Sequence, residues 1–162
     1  MDASKILILS DSHARTTNVL ETIRKEKPFD LLVHLGDIQG STEEIQKEAG
    51  TSCFFVAGNC DYDPNLPSFT VFQIGRHKCF AAHGHRQHVS YGTENLEKTA
   101  LENGCDVAMY GHTHVPDIRL KRKLLILNPG SISLPRQTGF AKTYILLTVD
   151  EEGELVPELR TL

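Results

Sequence analysis

No pair among the four cysteines, Cys53, Cys60, Cys79 and Cys105, has C-x-x-C spacing, so neither a thiolate zinc knuckle nor a dithiol redox motif is expected. Three of them sit in apolar runs, where a reduced cysteine behaves as a small hydrophobe. Positive charge is also in deficit. Lys+Arg number 17 against 21 Asp+Glu, a formal net charge of −4. That balance argues against a nucleic-acid binder working by phosphate neutralisation, while leaving room for a local cationic site. No apolar run approaches a membrane span, and Met1–Lys5 ahead of Ile6-Leu7-Ile8-Leu9 is too short and too poor in positive charge for a signal peptide. A cytoplasmic protein with no membrane partner is the expectation. No internal repeat, low-complexity tract or linker divides the chain. Its 162 residues, 40% hydrophobic and 23% charged, suit one domain over residues 1–162 with a sizeable core.

What the chain does contain is a strand ending that recurs. Asp30–Asp37 reads DLLVHLGD, in which Leu31, Leu32, Val33 and Leu35 make the nearly continuous apolar run of a strand covered on both faces. The run stops at Gly36-Asp37. Asp37 therefore leaves the carboxyl end of a buried strand, where open α/β sheets bind ligands, and Gly36 allows close approach. Taken alone, the octapeptide reads as a turn Asp after a core strand. Its company changes that. Lys5–Ser10 is a similar strand and delivers Asp11-Ser12-His13; alternate residues of extended chain share a side, so Asp11 and His13 are expected to face one point. Ser52–Ala57 is a third apolar strand and ends in Gly58-Asn59-Cys60-Asp61. Lys78–His83 ends in His83-Gly84-His85, and Asp106–Tyr110 in Gly111-His112-Thr113-His114. Unrelated loops would not share one position relative to their strands.

Between these strands, Asn18 with Glu21 resembles a capping box opening a helix that Pro28 stops, with Val19, Leu20 and Ile23 as its apolar stripe. Ser41 with Glu44 opens a second helix that Gly50 closes, and a third covers about Thr93–Asn103. Tyr62–Ser68 is loop, and Phe69–Ile74 pairs with Lys78–His83 across a Gly75-Arg76-His77 turn. Asp117–Leu120, Leu124–Leu127, Thr143–Val149 and Glu154–Leu159 are further strands. Helices early and hairpins late predict an α/β fold of two packed sheets flanked by helices, the second half largely antiparallel.

Collected from the strand ends, the candidate ligands are Asp11, His13, Asp37, Asn59, His83, His112 and His114. All are oxygen or imidazole donors. Such a set suits Mn²⁺, Fe²⁺, Zn²⁺ or Ni²⁺ better than a thiolate zinc site or an all-oxygen calcium site.

In this order, Asp-x-His, Gly-Asp, Gly-Asn-Cys-Asp, His-Gly-His and Gly-His-x-His resemble the calcineurin-like metallophosphoesterases. Asn59-Cys60-Asp61 with Asn128-Pro129-Gly130-Ser131 resembles their small stand-alone phosphodiesterase branch, the YfcE type, and the likeness runs from about Ile6 to Arg136. The resemblance implies a four-layer α/β/β/α sandwich of two mixed sheets and two divalent metal sites sharing Asp37. Asp11, His13, Asp37 and His114 would hold one ion; Asp37, Asn59, His83 and His112, which the resemblance also makes the catalytic residues, would hold the other. Mn²⁺ is the first expectation, with Ni²⁺, Fe²⁺ or Zn²⁺ as the others. The implied reaction is hydrolysis of a phosphate diester by a metal-activated hydroxide. Charge counting agrees, since two divalent ions against two anionic ligands, Asp11 and Asp37, leave a positive pocket for a substrate that gains negative charge on attack.

One departure matters: the broader superfamily usually has His where this chain has Cys60, and a thiol is a poor proton donor beside an imidazolium. Diesters with leaving groups that need little protonation are therefore expected. Some members of the family serve as interaction scaffolds after losing ligands, so a scaffold is the competing expectation and a phosphomonoesterase a third; this chain keeps all seven ligands. A small phosphate-ester substrate is the expected partner, with further copies of the chain left open.

Several residues have plainer readings. His34, inside an apolar strand, is expected to be a core histidine satisfied by a backbone carbonyl, and His77 a surface residue of a hairpin turn. His85 and His88 are either solvated loop or neighbours of the substrate. Arg119, Lys121, Arg122 and Lys123 make a solvated turn, since no aromatic residues interleave them. Asn128–Ser131 is a tight turn first and a contributor to the cleft second.

Overall fold

In a computed structural model that describes residues 3–162, the described residues form ten strands and three α-helices. In chain order they are β1 (Lys5–Leu9), α1 (Thr16–Glu26), β2 (Leu31–His34), α2 (Thr42–Ala49), β3 (Ser52–Phe55), β4 (Phe69–Ile74) and β5 (His77–Ala82). After two short 3₁₀ turns come α3 (Glu94–Glu102), β6 (Val107–Met109), β7 (Asp117–Lys121), β8 (Leu124–Asn128), β9 (Thr143–Val149) and β10 (Leu155–Thr161). One sheet has the order β10-β9-β1-β2-β3 and the other β4-β5-β6-β8-β7.

β1 lies at the centre of the first sheet because Ile6, Leu7, Ile8 and Leu9 are apolar on both of its faces, and all four are fully buried. It runs parallel to β2, with Ile8 opposite Val33, and antiparallel to β9 on its other edge. β3, the third apolar strand of the sequence reading, is a half-exposed edge strand. The second half of the chain is largely antiparallel as expected, through β4 with β5, β7 with β8, and β9 with both β10 and β1, but the second sheet is mixed. β5, β6 and β8 are parallel, and only the edge strands β4 and β7 are antiparallel to their neighbours. The reason is α3, which carries the chain back between β5 and β6 as a crossover.

Alternate faces of the strands make separate layers of core. Ile6, Ile8 and Val33 meet Ile74, Ala81, Val107 and Met109 between the sheets. On the outer face of the first sheet, Leu7, Leu9 and Leu32 meet Val19 and Ile23 of α1 and Ile45 of α2. Phe80, Ala108 and Ile126 meet Leu96 and Ala100 of α3 on the outer face of the second. The result is a four-layer α/β/β/α sandwich, each large aliphatic side chain buried in it contributing about 1.5–3 kcal/mol.

Ser41 caps α2 as expected, its Oγ accepting from the Glu44 amide at 3.1 Å, and Gly50 closes that helix with φ 65°. Asn18 does not cap α1. It lies inside the helix, and its Nδ2 donates instead to the Ile132 carbonyl at 3.1 Å and Ser133 Oγ at 3.2 Å, tethering the helix to a loop beside the site. His77 is not a surface turn residue either. It begins β5, and its ring nitrogens lie 2.7 Å from Asp106 Oδ2 and 2.9 Å from the Gly153 carbonyl. The basic hairpin is solvated, with Arg119 paired to Asp117 and Lys121 to Glu97.

Near the start of β1, the Glu26 carboxylate at the end of α1 is 4% exposed. It accepts from Tyr144 Oη of β9 at 2.6 Å and from Arg160 Nη1 of β10 at 2.8 and 3.0 Å. Lys5 Nζ donates to the Glu26 carbonyl at 2.8 Å. Among the described residues no helix is long and apolar enough to cross a membrane.

Candidate metal centre

The first sheet supplies Asp11 and His13 beyond β1, Asp37 beyond β2 and Asn59 beyond β3; the second supplies His83 beyond β5 and His112 and His114 beyond β6. Extended chain does not bring them together. Asp11 (φ 57°), His13 (φ 45°), Asp37 (φ 54°), His112 (φ 71°) and His114 (φ 60°) are all left-handed, so the chain turns sharply as each strand ends. This replaces the expectation that strand alternation alone sets Asp11 beside His13. Asp and His tolerate that region better than most side chains, but the cost is held by the surrounding bonds. Those bonds join the first two loops: the amides of Asp11, His13 and Ala14 donate to the carbonyls of Gly36, Asp37 and Ile38, each at 2.9 Å. The glycines before the ligands have a spatial reason. A Cβ at Gly58 would lie 2.1 Å from Asp37 Oδ1, and one at Gly111 2.7 Å from Asp11 Oδ2.

Asp11 is fully buried, and its two oxygens differ. Oδ2 accepts from Ser10 Oγ at 2.5 Å and the His112 amide at 3.0 Å. Oδ1 has no hydrogen-bond partner, although the Nε2 atoms of His114, His13 and His83 lie 3.2, 3.6 and 3.7 Å away. Asp37 Oδ1 accepts from the Cys60 amide at 2.8 Å, while Oδ2 lies 3.2 Å from His83 Nε2 and 3.6 Å from His13 Nε2.

The imidazoles are held from behind. His83 Nδ1 donates to the Leu35 carbonyl at 2.7 Å and His114 Nδ1 to the Leu134 carbonyl at 2.6 Å, so each Nε2 turns inward carrying the lone pair of the neutral ring. His13 Nδ1 lies 2.8 Å from Gln39 Oε1, which only accepts, so the same tautomer follows. Lone pairs then face one another where His13 Nε2 lies 3.2 Å from His114 Nε2, while His112 Nδ1 lies 3.3 Å from His83 Nε2 and 3.1 Å from Asn59 Oδ1. Acceptors at these separations need a proton or a cation between them.

The acids and imidazoles perturb one another accordingly. Burial pushes the Asp11 carboxyl up, but His114, His13, His83 and Ser10 together outweigh it and hold the group well below the carboxylate range. Asp37 is depressed in the same way, burial being outweighed chiefly by His83. His83 is raised, its burial outweighed by Asp37 and Asp11, and His13 is raised chiefly by the neighbouring Asp11 carboxylate. A divalent cation competes for the same lone pairs, so the unpartnered Asp11 oxygen and the inward imidazoles fit a metal well. Six of the seven donors fall into two close groups, Asp11–His13–His114 and Asp37–His83–His112, each with its donor atoms within 4.8 Å of one another.

All seven residues singled out in the sequence therefore converge. The remaining histidines do not join them as donors. His34 is a buried core histidine, but a backbone amide rather than a carbonyl satisfies it: Nδ1 accepts from Gly36 at 3.2 Å and Nε2 pairs with Ser12 Oγ at 3.0 Å. Burial pushes its pKa down to about 4. His85 is half-buried with its ring centroid 5.4 Å from that of His83, and His88 is exposed. Residues 128–131 hold the cleft as expected: Asn128 Nδ2 donates to the Gly111 carbonyl and Ser131 Oγ to the Asp11 carbonyl.

Sequence reasoning missed three supports. Gln39 orients His13, and Ser10 binds Asp11. Asp61 accepts from the amides of Ile38, Gln39 and Gly58, tying the second and third strand ends together. Only Asp61 carried a signal, as the second polar residue after Asn59; Gln39 and Ser10 had none.

A sandwich that gathers imidazoles and carboxylates from both sheets at one end is the frame of a metal-binding phosphoesterase. The chain belongs to the calcineurin-like phosphoesterase superfamily, whose domain residues 5–152 match. It is 34% identical over 153 residues to the probable metallophosphoesterase YsnB of Bacillus subtilis, covering 93% of this chain and 88% of that protein. To the phosphodiesterase YfcE of Escherichia coli K12 it is 31% identical over 157 residues, covering 82% of this chain and 81% of that one. A crystal structure from Streptococcus pneumoniae TIGR4, described as a conserved uncharacterized protein and predicted phosphoesterase, matches with a TM-score of 0.82 at 27% identity over 100% of this chain and 99% of that chain.

Proposed function

We propose that the protein is a divalent-metal-dependent phosphodiesterase with two cation sites sharing Asp37. One observation carries this reading: Asp37 Oδ2 lies 3.6 Å from His13 Nε2 and 3.2 Å from His83 Nε2, within reach of one imidazole from each donor group, and closer to His83 than Asp11 Oδ1 at 3.7 Å. Asp11, His13, Asp37 and His114 would hold one ion, and Asp37, Asn59, His83 and His112 the other. Mn²⁺ is the first candidate for this oxygen and imidazole set, with Ni²⁺, Fe²⁺ and Zn²⁺ as the others. Bound ions of this kind supply Lewis acidity toward a phosphoryl oxygen and a water acidic enough to attack at neutral pH.

The chain's own part is placement and charge. The Leu35 and Leu134 carbonyls and Gln39 fix three rings with Nε2 inward, and the Cys60 amide occupies Asp37 Oδ1, leaving Oδ2 for the cleft. Only Asp11 and Asp37 are anionic in the set, so a loaded cleft is positive within a protein of net charge −4. Such a site draws a phosphate ester and stabilises the charge it gains in the transition state. Cys60 stands where the wider superfamily usually has His, and burial with the nearby Asp37 pushes its thiol up, making it a still poorer proton donor. Diesters with good leaving groups, aryl or nucleoside esters, are the substrates this favours. The name of YfcE supports a diester over a monoester, and the four free cysteines are in keeping with a cytoplasmic protein.

The test is turnover of a chromogenic diester and its matched monoester by purified protein with added Mn²⁺. Faster diester hydrolysis supports the proposal, and Cys60→His is expected to relieve the dependence on leaving group. A reversed preference makes the protein a phosphomonoesterase, and no turnover with any metal makes it a scaffold.

A further inference from the structure

Cys60 differs from the other three cysteines, which belong to apolar clusters. It stands at the open side of the cleft, and its Sγ, an imidazole nitrogen of His13 and a carboxylate oxygen of Asp37 all lie within 4.8 Å of one another. The backbone pins it there, because its amide donates to Asp37 Oδ1 at 2.8 Å. Sγ makes a weak contact with Asn59 Nδ2 at 3.6 Å and lies beside the Asp37 carboxylate. Beside this trio the buried Asp11 Oδ1 lacks any hydrogen-bond partner, a second sign that a cation completes this part of the cleft. A cavity of about 290 Å³, lined by Gln39, Cys60, Asp61, Tyr62 and Leu66 among others, opens against the cysteine and leads to solvent.

We propose that Cys60 is a metal ligand, closing with His13 and Asp37 a third donor set that takes a thiophilic divalent cation of the Zn²⁺ or Cd²⁺ kind in preference to Mn²⁺. The inference rests on reading the cleft as a cation site, and adds to it a sulfur donor that the seven-residue set lacks. Soft thiolate selects such ions, whereas carboxylate and imidazole alone discriminate weakly between them and Mn²⁺. As the sulfur–metal bond forms, the thiol proton leaves to solvent, with no change of oxidation state. Because His13 and Asp37 also belong to the other sets, an ion held by Cys60 takes a ligand from each. Occupation of the third set therefore competes with the arrangement proposed for hydrolysis, and metal choice becomes a switch on activity.

Metal-free wild type and Cys60→Ser are titrated with Co²⁺, Zn²⁺ and Mn²⁺, each metal alone, by absorption spectroscopy and equilibrium binding. The expected result is a near-ultraviolet thiolate-to-Co²⁺ charge-transfer band in the wild type that is lost in Cys60→Ser. Zn²⁺ affinity falls about tenfold or more in the variant while Mn²⁺ affinity is nearly unchanged. Co²⁺ binding without that band, or equal weakening for Zn²⁺ and Mn²⁺, overturns the proposal and leaves the cation reading of the cleft standing. No binding of any of the three metals by the wild type overturns both.

Discussion

Two buried carboxylates sit near opposite ends of β1, and they are treated in opposite ways. Glu26 is 4% exposed and both its oxygens are satisfied by neutral or cationic donors from β9 and β10. Asp11 is 0% exposed, yet one oxygen is orphaned and faces three imidazole nitrogens. Leaving a buried acceptor unmade costs about 1–3 kcal/mol, and more when it is charged. The first arrangement is complete within the chain and holds strands to a helix. The second is incomplete, and the difference marks which end of the sandwich serves stability and which awaits a ligand.

The contrast can be broken most severely at Asp37, the acid between the two donor groups. Asp37→Ala is expected to lower metal content at both sites and activity by about a hundredfold or more, whereas Asn59→Ala weakens mainly one site. Metal analysis beside kinetics checks this, and loss of the same single equivalent in both variants would contradict a shared ligand.

A smaller effect separates the two acids by their response to metal. Metal-free Glu26→Gln should unfold about 1–2 kcal/mol more easily than wild type, allowing for the partial exposure of Arg160, or roughly 2–8 °C in Tm. Metal-free Asp11→Asn should also lose stability, because, burial notwithstanding, the histidines and Ser10 that hold the folded carboxyl low favour its charged form. With Mn²⁺ at a hundredfold excess over Kd the wild type should gain about 2.7 kcal/mol and Asp11→Asn much less. Thermal unfolding with and without metal reads both.

The smallest effect is in pH. Burial raises the Glu26 carboxyl, but Tyr144 and Arg160 outweigh it and hold its folded pKa below the ordinary 4.5. A depressed folded pKa gives stability that is fully present above 4.5 and lost as pH falls through the folded value. The gap in Tm between wild type and Glu26→Gln should therefore be widest near neutrality and shrink below that value. A gap independent of pH would remove the charge from the account of Glu26.

Much of this was legible from strand endings. A run such as Leu31–Leu35 can only be covered on both faces, and a polar residue just beyond it must emerge at a sheet edge, so all seven candidate donors could be named. What stayed hidden was set by tertiary contacts. Asn18 looks like a cap locally, but the 131–133 loop offers its amide better partners inside the helix. His77 follows a turn glycine, yet Asp106 and Gly153 arrive from distant segments to bind it. The left-handed turns at Asp11 and His112 follow no local rule, because neighbouring loops impose them. Gln39 acts only through one bond to His13, which no spacing announces.

The donors are divided between the sheets, Asp11, His13, Asp37 and Asn59 from one and His83, His112 and His114 from the other. An ion bound by both would act as a rivet through the stacked layers, and its binding would depend on their closing in correct alignment. His114 is the last of the donors along the chain, but β9, the neighbour of β1, comes later still. A nascent chain would therefore carry every donor before its first sheet is whole, so the donors would reach their final spacing only when β9 has joined β1.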